Sequence, residues 1–380
     1  MKSRIIGLLA NLIYLLARIL PKNNWAIIQT FPIWEENGVV LYRHLVQTGI
    51  DKIIWLVPEL PEREEIPFSI KKEKTILVKR RSFKGIGYYL LSKYVFITHG
   101  LYARKFPANQ ISVNLWHGLP IKKIALDNKG EALVTTFNLS TSSFFSPILA
   151  RSFGVPRESV LKLGLPRNEN LLKPEPDVLK NLNIPEGAKI ILWLPTYRQS
   201  AVGEIRLDGT DYNNPYNLPS FDEEEFDEFL KKNNMVCFLK PHPMAPRTPA
   251  RSFSNFRFID DDFLYQNDLL LYQFLGQSDV LISDVSSTIV DFLLLNRPLI
   301  LSFSDHESYV NSRGINCPEI YSRPPGGICK DQKSIMKALF EIQSGKDDHA
   351  ENRRYLRQLY HGETDAKNCT INLLKEIDLK

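Results

Sequence analysis

Three hydroxyls in a row, Ser286, Ser287 and Thr288, with the Asp291 carboxylate one turn further on, form the stretch best suited to holding an anion. They follow the apolar β-branched run 280–282 and precede an apolar stretch stopped by Asn296 and Pro298. That pattern predicts a strand, a turn, a short helix and a second strand. In open α/β sheets ligands bind at the carboxyl ends of strands, and the helix that follows presents unpaired N–H groups and the positive end of its dipole. Helical spacing puts Ser287, Thr288 and Asp291 on one face. Ser286 alone reads as a helix cap; the hydroxyl run taken with its carboxylate reads as a phosphate site.

A second candidate is an imidazole. The strand predicted over 111–115 runs straight into Trp116-His-Gly-Leu-Pro-Ile-Lys-Lys123, placing His117 at a strand end beside Gly118, with Lys122 and Lys123 close behind. A group with an ordinary pKa of about 6.5 accepts a proton from an attacking hydroxyl at neutral pH. His117 is therefore the leading candidate base, and Gly118, Lys122 and Lys123 are candidates to bind the acceptor or a phosphate. A lone loop histidine serves structure as readily, and the sequence leaves both roles open. Two further predicted strands end in polar groups: one beginning at Lys189 ends in Thr196, Tyr197 and Arg198, and one beginning at Met235 ends in Lys240 and His242, with Arg247 behind. Prolines on both sides of His242 fix its backbone, for a ligand or for a rigid turn. Arg198, Lys240, His242, Arg247 and the 286–291 turn on one rim would suit a diphosphate.

Parallel sheets must position these groups. Strands are predicted over 25–31, 53–57, 75–78, 94–98 and 111–115, with a helix over 38–48, as in an open α/β sheet. The Pro-rich polar stretch 161–177 is expected to link this half to a second. There, besides the strands already named, a strand is predicted over 256–259 and helices over 221–232, 268–277, 333–343 and 348–359. The polar segment 200–220 is expected to be a mobile loop, and 322–327 a Gly/Pro-rich loop. No internal repeat, Walker loop, Gly-x-Gly-x-x-Gly, zinc cluster or Gly-x-Ser-x-Gly elbow is present, so neither a metal nor another cofactor is expected.

The 380-residue chain is 43% hydrophobic, enough for two ordinary domains with separate cores. Its 48 basic and 43 acidic residues leave an excess of five, which suits an anionic substrate or a membrane surface. No basic patch interleaved with aromatics points to nucleic acid. Cys237, Cys317, Cys329 and Cys369 are far apart and frame no disulfide pattern, as expected of a reducing compartment and a cytosolic catalytic body. The apolar stretch 5–20 is shorter than the roughly 20 residues that cross a bilayer, and no small-residue cleavage site follows it. Gly7, Ala10, Asn11, Tyr14, Ala17 and Arg18 share one face at helical spacing, leaving a wide Leu/Ile face. A helix packed on the body and a helix dipping into a membrane surface both fit.

In its ordered motifs the chain resembles the CDP-glycerol glycerophosphotransferases of wall teichoic acid and capsule synthesis. Trp116-His-Gly-Leu-Pro-Ile-Lys-Lys123 is similar to that family's Trp-His-Gly-Thr-Pro-Leu-Lys-Lys, and Gly164-Leu-Pro-Arg-Asn168 to its Gly-x-Pro-Arg-Asn. Leu194-Pro-Thr-Tyr-Arg198 resembles Ala-Pro-Thr-Trp-Arg, and Lys240-Pro-His-Pro243 resembles Lys/Arg-Pro-His-Pro. Ser283-Asp-Val-Ser-Ser-Thr-Ile-Val-Asp-Phe292 resembles Ser-Asp-Tyr-Ser-Ser-x-x-x-Asp-Phe, and Tyr309, Arg313-Gly314 and Gly326-Gly327 fall where the family has a Tyr, an Arg-Gly and a Gly-rich loop.

The resemblance implies a GT-B architecture, two Rossmann-like domains facing across a cleft: an apolar helix at 1–22 with possible membrane association, an acceptor-side domain at 23–170, a donor domain at 171–345 and C-terminal helices at 346–380. It implies that an acceptor hydroxyl attacks the β-phosphate of CDP-glycerol or a related CDP-polyol, displacing CMP and extending a polyprenyl-diphosphate-linked acceptor at the inner membrane face. His117 would be the base. His242, with Arg247 and the Ser286, Ser287 and Thr288 turn, would hold the diphosphate, and Asp291 would support the turn or reach the donor. Leu119 stands where the family has Thr, and Val285 replaces an aromatic, which puts the substrate in question more than the reaction. The length suits a priming or single-addition enzyme, and also a short polymerase. Two other readings compete: a GT-B glycosyltransferase releasing a nucleoside diphosphate, and a non-enzymatic module binding anionic lipid or polymer.

Overall fold

The computed structural model describes residues 2–62, 66–67, 70, 75–103, 105–173, 178–199, 208–245, 251, 253–362 and 364–379, with side chains from residue 7 onward. The chain folds into two units, residues 1–119, 124–170 and 362–380 in the first, and 120–123 with 171–361 in the second.

Unit 1 opens with α1 (Lys2–Ile19), followed by β1 (Asn23–Gln29), α2 (Glu36–Leu45), β2 (Lys52–Val57), β3 (Thr75–Lys79), α3 (Phe83–Leu91), β4 (Ser92–Ile97) and β5 (Ile111–Asn114). It continues through β6 (Phe137–Ser140), α4 (Phe145–Phe153), β7 (Val160–Lys162) and α5 (Asn168–Leu172). The β1, β2 and β4 runs are apolar because helices cover both faces of the sheet, burying Ile27, Ile54, Trp55, Val95 and Phe96 completely. All seven strands pair in parallel in the order β3-β2-β1-β4-β5-β6-β7. The order reverses between β1 and β4, which makes that boundary the topological switch point, where ligands of doubly wound sheets bind.

Unit 2 holds β8 (Lys189–Leu194), α6 (Glu223–Lys232), β9 (Met235–Leu239), β10 (Phe256–Phe258), α7 (Asp261–Gln266), α8 (Leu271–Gln277), β11 (Val280–Ser283), α9 (Ser287–Phe292) and β12 (Leu299–Ser302). Then come α10 (His306–Arg313), α11 (Glu319–Ser322), β13 (Gly327–Cys329), α12 (Gln332–Gln343) and α13 (Ala350–His361). The chain returns to unit 1 with α14 (Cys369–Glu376). Six parallel strands run β10-β9-β8-β11-β12-β13, the same winding as the first six strands of unit 1, with the switch point between β8 and β11.

Several expectations need correction. The 161–177 stretch does hold the boundary between the units, at 170/171, but it is not an exposed link: it includes the end of β7 and all of α5 and buries Leu165, Arg167 and Asn168, while residues 174–177 fall outside the described ones. The described part of the 200–220 segment is packed, because Tyr216 and Leu218 enter the aromatic core beside Trp193, Phe226 and Phe256; residues 200–207 lie outside the described ones. The expected 268–277 helix begins at Leu271, after Asp268 turns to φ +52°. The 322–327 loop feeds edge strand β13, and a Cβ on Gly326 would lie 1.6 Å from the Leu299 carbonyl oxygen, so only glycine lets that backbone approach.

The first helix packs on part of the face the spacing had marked, with Ala10 and Tyr14 half-buried and Gly7, Asn11 and Arg18 exposed. Ala17 is fully buried, the Asn109 side chain donates to the carbonyls of Arg18 and Leu20 at 3.1 and 3.3 Å, and Lys105 lies over the Tyr14 ring. Leu8, Leu12, Leu15 and Ile19, spaced along the opposite side, are exposed. Among the described residues no helix is long and apolar enough to cross a membrane.

Candidate active site

In unit 1 the backbone at the end of β5 is held while one side chain is left outside. Trp116 adopts φ +54° and Gly118 φ +150°, conformations that turn the chain sharply away from the sheet and that suit glycine at the second position. Asn114 Oδ1 accepts the Trp116 N–H at 3.0 Å, Asn37 Nδ2 donates to the Trp116 carbonyl at 3.1 Å, and Arg167 Nη1 donates to the His117 carbonyl at 2.8 Å. Asn37 in turn accepts the Arg167 N–H at 3.0 Å, and Glu35, the N-cap of α2, accepts both the backbone and side-chain N–H of Asn37. Glu35 and Arg167 are buried and 3.6 Å apart. Burial, opposed by Arg167 and helped by Glu36, pushes the Glu35 carboxyl up to about 8.

The His117 ring is exposed. Its Nδ1 lies 3.4 Å from the Thr98 carbonyl oxygen, which can only accept. In the neutral imidazole Nδ1 therefore carries the proton and the basic lone pair is on Nε2. This arrangement suits a general base.

In unit 2 the strand-end groups are buried and braced against one another. Arg198 follows β8. Its Nε and Nη2 donate to the two oxygens of Asp305 at 2.6 and 2.8 Å, and its Nη1 donates to Asp284 at 2.8 Å. Asp284 also accepts the Thr196 N–H at 3.0 Å, the Thr196 hydroxyl at 2.9 Å and the Val285 N–H at 2.8 Å. Burial lowers the arginine's pKa, but the carboxylates outweigh it and hold the guanidinium above its ordinary value. Arg198 thus joins β8 to the loops after β11 and β12, a bracing role that the expected donor contact did not include.

Lys240, after β9, is also buried and pairs with Asp261 at 2.9 Å. His242 accepts the Met244 N–H on Nδ1 at 3.1 Å, so its neutral ring carries the proton on Nε2. Burial, with the Lys122 and Lys240 ammonium groups, pushes its pKa down to about 3. At neutral pH His242 is an uncharged hydrogen-bond donor.

Lys122 belongs to this second set. Its segment pairs with Ile315 in an antiparallel bridge, and Asn316 Nδ2 holds the carbonyls of Pro120 and Lys122 at 3.0 and 3.2 Å. Lys122 Nζ donates to the Tyr309 hydroxyl at 3.1 Å and lies 5.8 Å from the centre of the Tyr197 ring, which itself packs on His242 at 4.8 Å. Desolvation lowers the Lys122 pKa to about 8. Lys123 is exposed, and Gly118 remains with unit 1.

At the β11 turn Ser286 is the N-cap of α9: its hydroxyl oxygen accepts the Thr288 N–H at 3.3 Å and the Thr288 hydroxyl at 2.8 Å. Ser287 and Thr288 are half-buried. Asp291 is fully buried and accepts the Tyr272 hydroxyl at 2.5 Å, so it supports the turn from beneath. Arg247 lies outside the described residues.

Glu35, Asn37, Asp305 and His99 stood in no motif, and Asp284, Arg167 and Tyr309 stood in motifs without a role. One signal was available for His99: a second His-Gly pair, His99-Gly100, follows β4 just as His117-Gly118 follows β5.

Relatives share this chain's length to different degrees. A teichoic acid ribitol-phosphate polymerase, TarL, of Staphylococcus aureus is 29% identical over 66% of this chain and 46% of its own length. The chain therefore spans about half of that relative. A teichoic acid glycerol-phosphate transferase of the same organism is 23% identical over 92% of this chain and 93% of its own length. Among solved structures, a variant of the wall teichoic acid polymerase TagF superposes with a TM-score of 0.75 at 20% identity, covering 99% of this chain and 96% of that one. The fold is of the GT-B type. Residues 13–375 match the model of the CDP-Glycerol:Poly(glycerophosphate) glycerophosphotransferase family, and the chain belongs to that family.

Proposed function

We propose that the protein transfers glycerol phosphate, or a related polyol phosphate, from a CDP-activated donor to the hydroxyl of a lipid-linked acceptor in teichoic acid or capsule-type synthesis, releasing CMP. The observation that carries this reading is the exposed His117 ring on an immobilised backbone, in a chain that matches the family along nearly all its length.

In this scheme Nε2 of His117 takes the proton of the acceptor hydroxyl as its oxygen attacks the β-phosphorus. The bond from that phosphorus to the bridging oxygen breaks, and CMP leaves with the electron pair. Lys122 and the Nε2–H of His242 bind the diphosphate, with the Ser287 and Thr288 hydroxyls beside them, and neutralise the charge that builds on its oxygens. Arg198 and Lys240, each paired with carboxylate, keep the strand ends in place. Along α1 the leucine row with Ile19 lies on the membrane surface that carries the acceptor, supported by its exposure while Ala17 faces the body.

The test is to incubate the full chain with CDP-glycerol and a short synthetic lipid-linked disaccharide, following CMP and the acceptor's mass. CMP with one added glycerol phosphate is expected for a primase, and a ladder for a polymerase. A nucleoside diphosphate formed from a nucleotide sugar, with no CMP from CDP-glycerol or CDP-ribitol, would overturn the reading in favour of a glycosyltransferase. Flotation with anionic liposomes that survives Leu8→Ser with Leu12→Ser and Leu15→Ser would remove α1 from the membrane.

A further inference from the structure

The two His-Gly pairs stand side by side because β4 and β5 are neighbouring parallel strands, in register from Tyr94 with Ile111 to Ile97 with Asn114. The rings of His99 and His117 stack with centroids 4.3 Å apart and planes within 9°. One residue anchors both: the Thr98 carbonyl accepts a hydrogen bond from His117 Nδ1 at 3.4 Å, while the Thr98 hydroxyl lies 3.1 Å from His99 Nδ1 and accepts the Phe31 N–H at 3.1 Å. The Phe31 ring meets His99 edge-on at 5.5 Å, and Trp116 packs against His117 at 4.0 Å. His99 thus lies at the β1/β4 switch point, fixed by the loop after β1 on one side and covering a face of the candidate base on the other.

We propose that His99 is a positioning residue for His117, its ring holding the plane of the base and opposing a second positive charge beside it. The inference rests on the reading of His117 as the base. Two imidazoles at this separation repel when both are protonated, so a proton on either ring disfavours one on the other. Among the described residues the Arg167 guanidinium donates to the His117 carbonyl, and behind it, 3.6 Å away, lies Glu35, whose carboxyl keeps its proton up to about pH 8. Phe31, Trp116 and Asn37 bring no charge. By that repulsion the stack opposes a second proton, and His117 without one is the form that accepts the acceptor's proton.

The test uses the full chain labelled with ¹³C at histidine Cε1, and compares wild type, His99→Phe and His99→Ala. In the wild type the His117 resonance should respond to the titration of both rings. His99→Phe keeps a flat ring on the stack and should give a single step at higher pH, whereas a His117 titration unaltered by His99→Phe would overturn the coupling. His99→Ala removes the platform as well and should lower kcat for CMP release about tenfold, with KM for CDP-glycerol within twofold, and His99→Phe should recover most of that kcat at pH 8. A kcat unchanged in His99→Ala, or a loss confined to the donor KM, would overturn the positioning role. Full turnover by His117→Ala would instead sink the base assignment, and the resonance titration would still report on the stack.

Discussion

His117 and His242 each follow a strand of a parallel sheet, yet their Nδ1 atoms meet opposite backbone groups, the Thr98 carbonyl for one and the Met244 amide for the other. The first contact leaves Nε2 able to take a proton; the second leaves Nε2 bearing one. Their surroundings differ in the same sense. His117 is exposed, with its backbone held by Asn37 and Arg167 and its ring lying between His99 and Trp116, so its edge can exchange protons. His242 sits with Lys122, Lys240 and Tyr197 in a cluster that keeps it neutral. Residue type alone does not set a histidine's role: the group opposite Nδ1 and the charge around it do.

Removing His117 should break the comparison most. His117→Ala is expected to reduce CMP release by about 10²- to 10⁴-fold, with CDP-glycerol affinity by calorimetry unchanged; a matching loss of affinity would show that the two histidines do not divide the work. Next in size is Arg198→Ala, which leaves Asp284 and Asp305 buried without their cation. A loss of about 3–5 kcal/mol is expected in denaturant melts of the full chain, and a variant of undiminished stability would disprove the bracing role.

Smaller effects come with pH. Lys122 loses its charge as pH rises through about 8, so CDP-glycerol affinity should fall by up to about tenfold between pH 7 and 9. Lys122→Arg, which keeps its charge there, should flatten the dependence, and a profile of the same shape in that variant would assign it elsewhere. Glu35 has the reverse history, its folded pKa raised to about 8 from an ordinary carboxylate value. The folded state then holds an extra proton between about pH 4.5 and 8, so its contribution is complete at the acid end and is lost as pH rises through that window. The slope should approach about 1 kcal/mol per pH unit, and Glu35→Gln should remove it in urea melts taken at pH 5, 6 and 7.

Strands with apolar runs on both faces, such as β1, β2, β8 and β9, were legible because that pattern has few other meanings. Strands β6 and β7 were not. Asn138 and Ser140 of β6 are buried, and Asn138 Oδ1 accepts from Asn114 Nδ2 at 3.1 Å, so hydrogen bonds replace the apolar signal. Helix α3 was hidden by Gly85 and Gly87, poor helix formers in its first turns. In the site, the β11 turn, His117 and His242 could be read in order along the chain. Glu35, Asn37 and Arg167 could not, since the Glu35–Asn37 pair meets Trp116, 79 residues from Asn37, and Arg167, 130 residues from it, only through folding.

By itself the sequence determined that two αβ halves would carry histidines, lysines and hydroxyls at strand ends, because local apolar patterning sets strands and turns wherever the chain goes. Only the tertiary structure decided that Arg198 braces two carboxylates, that Lys122 joins Tyr309 and Tyr197, and that His99 lies on His117. Those facts depend on strand order and register, and on which backbone group ends up opposite each side chain. They are fixed by contacts between segments that no local pattern connects.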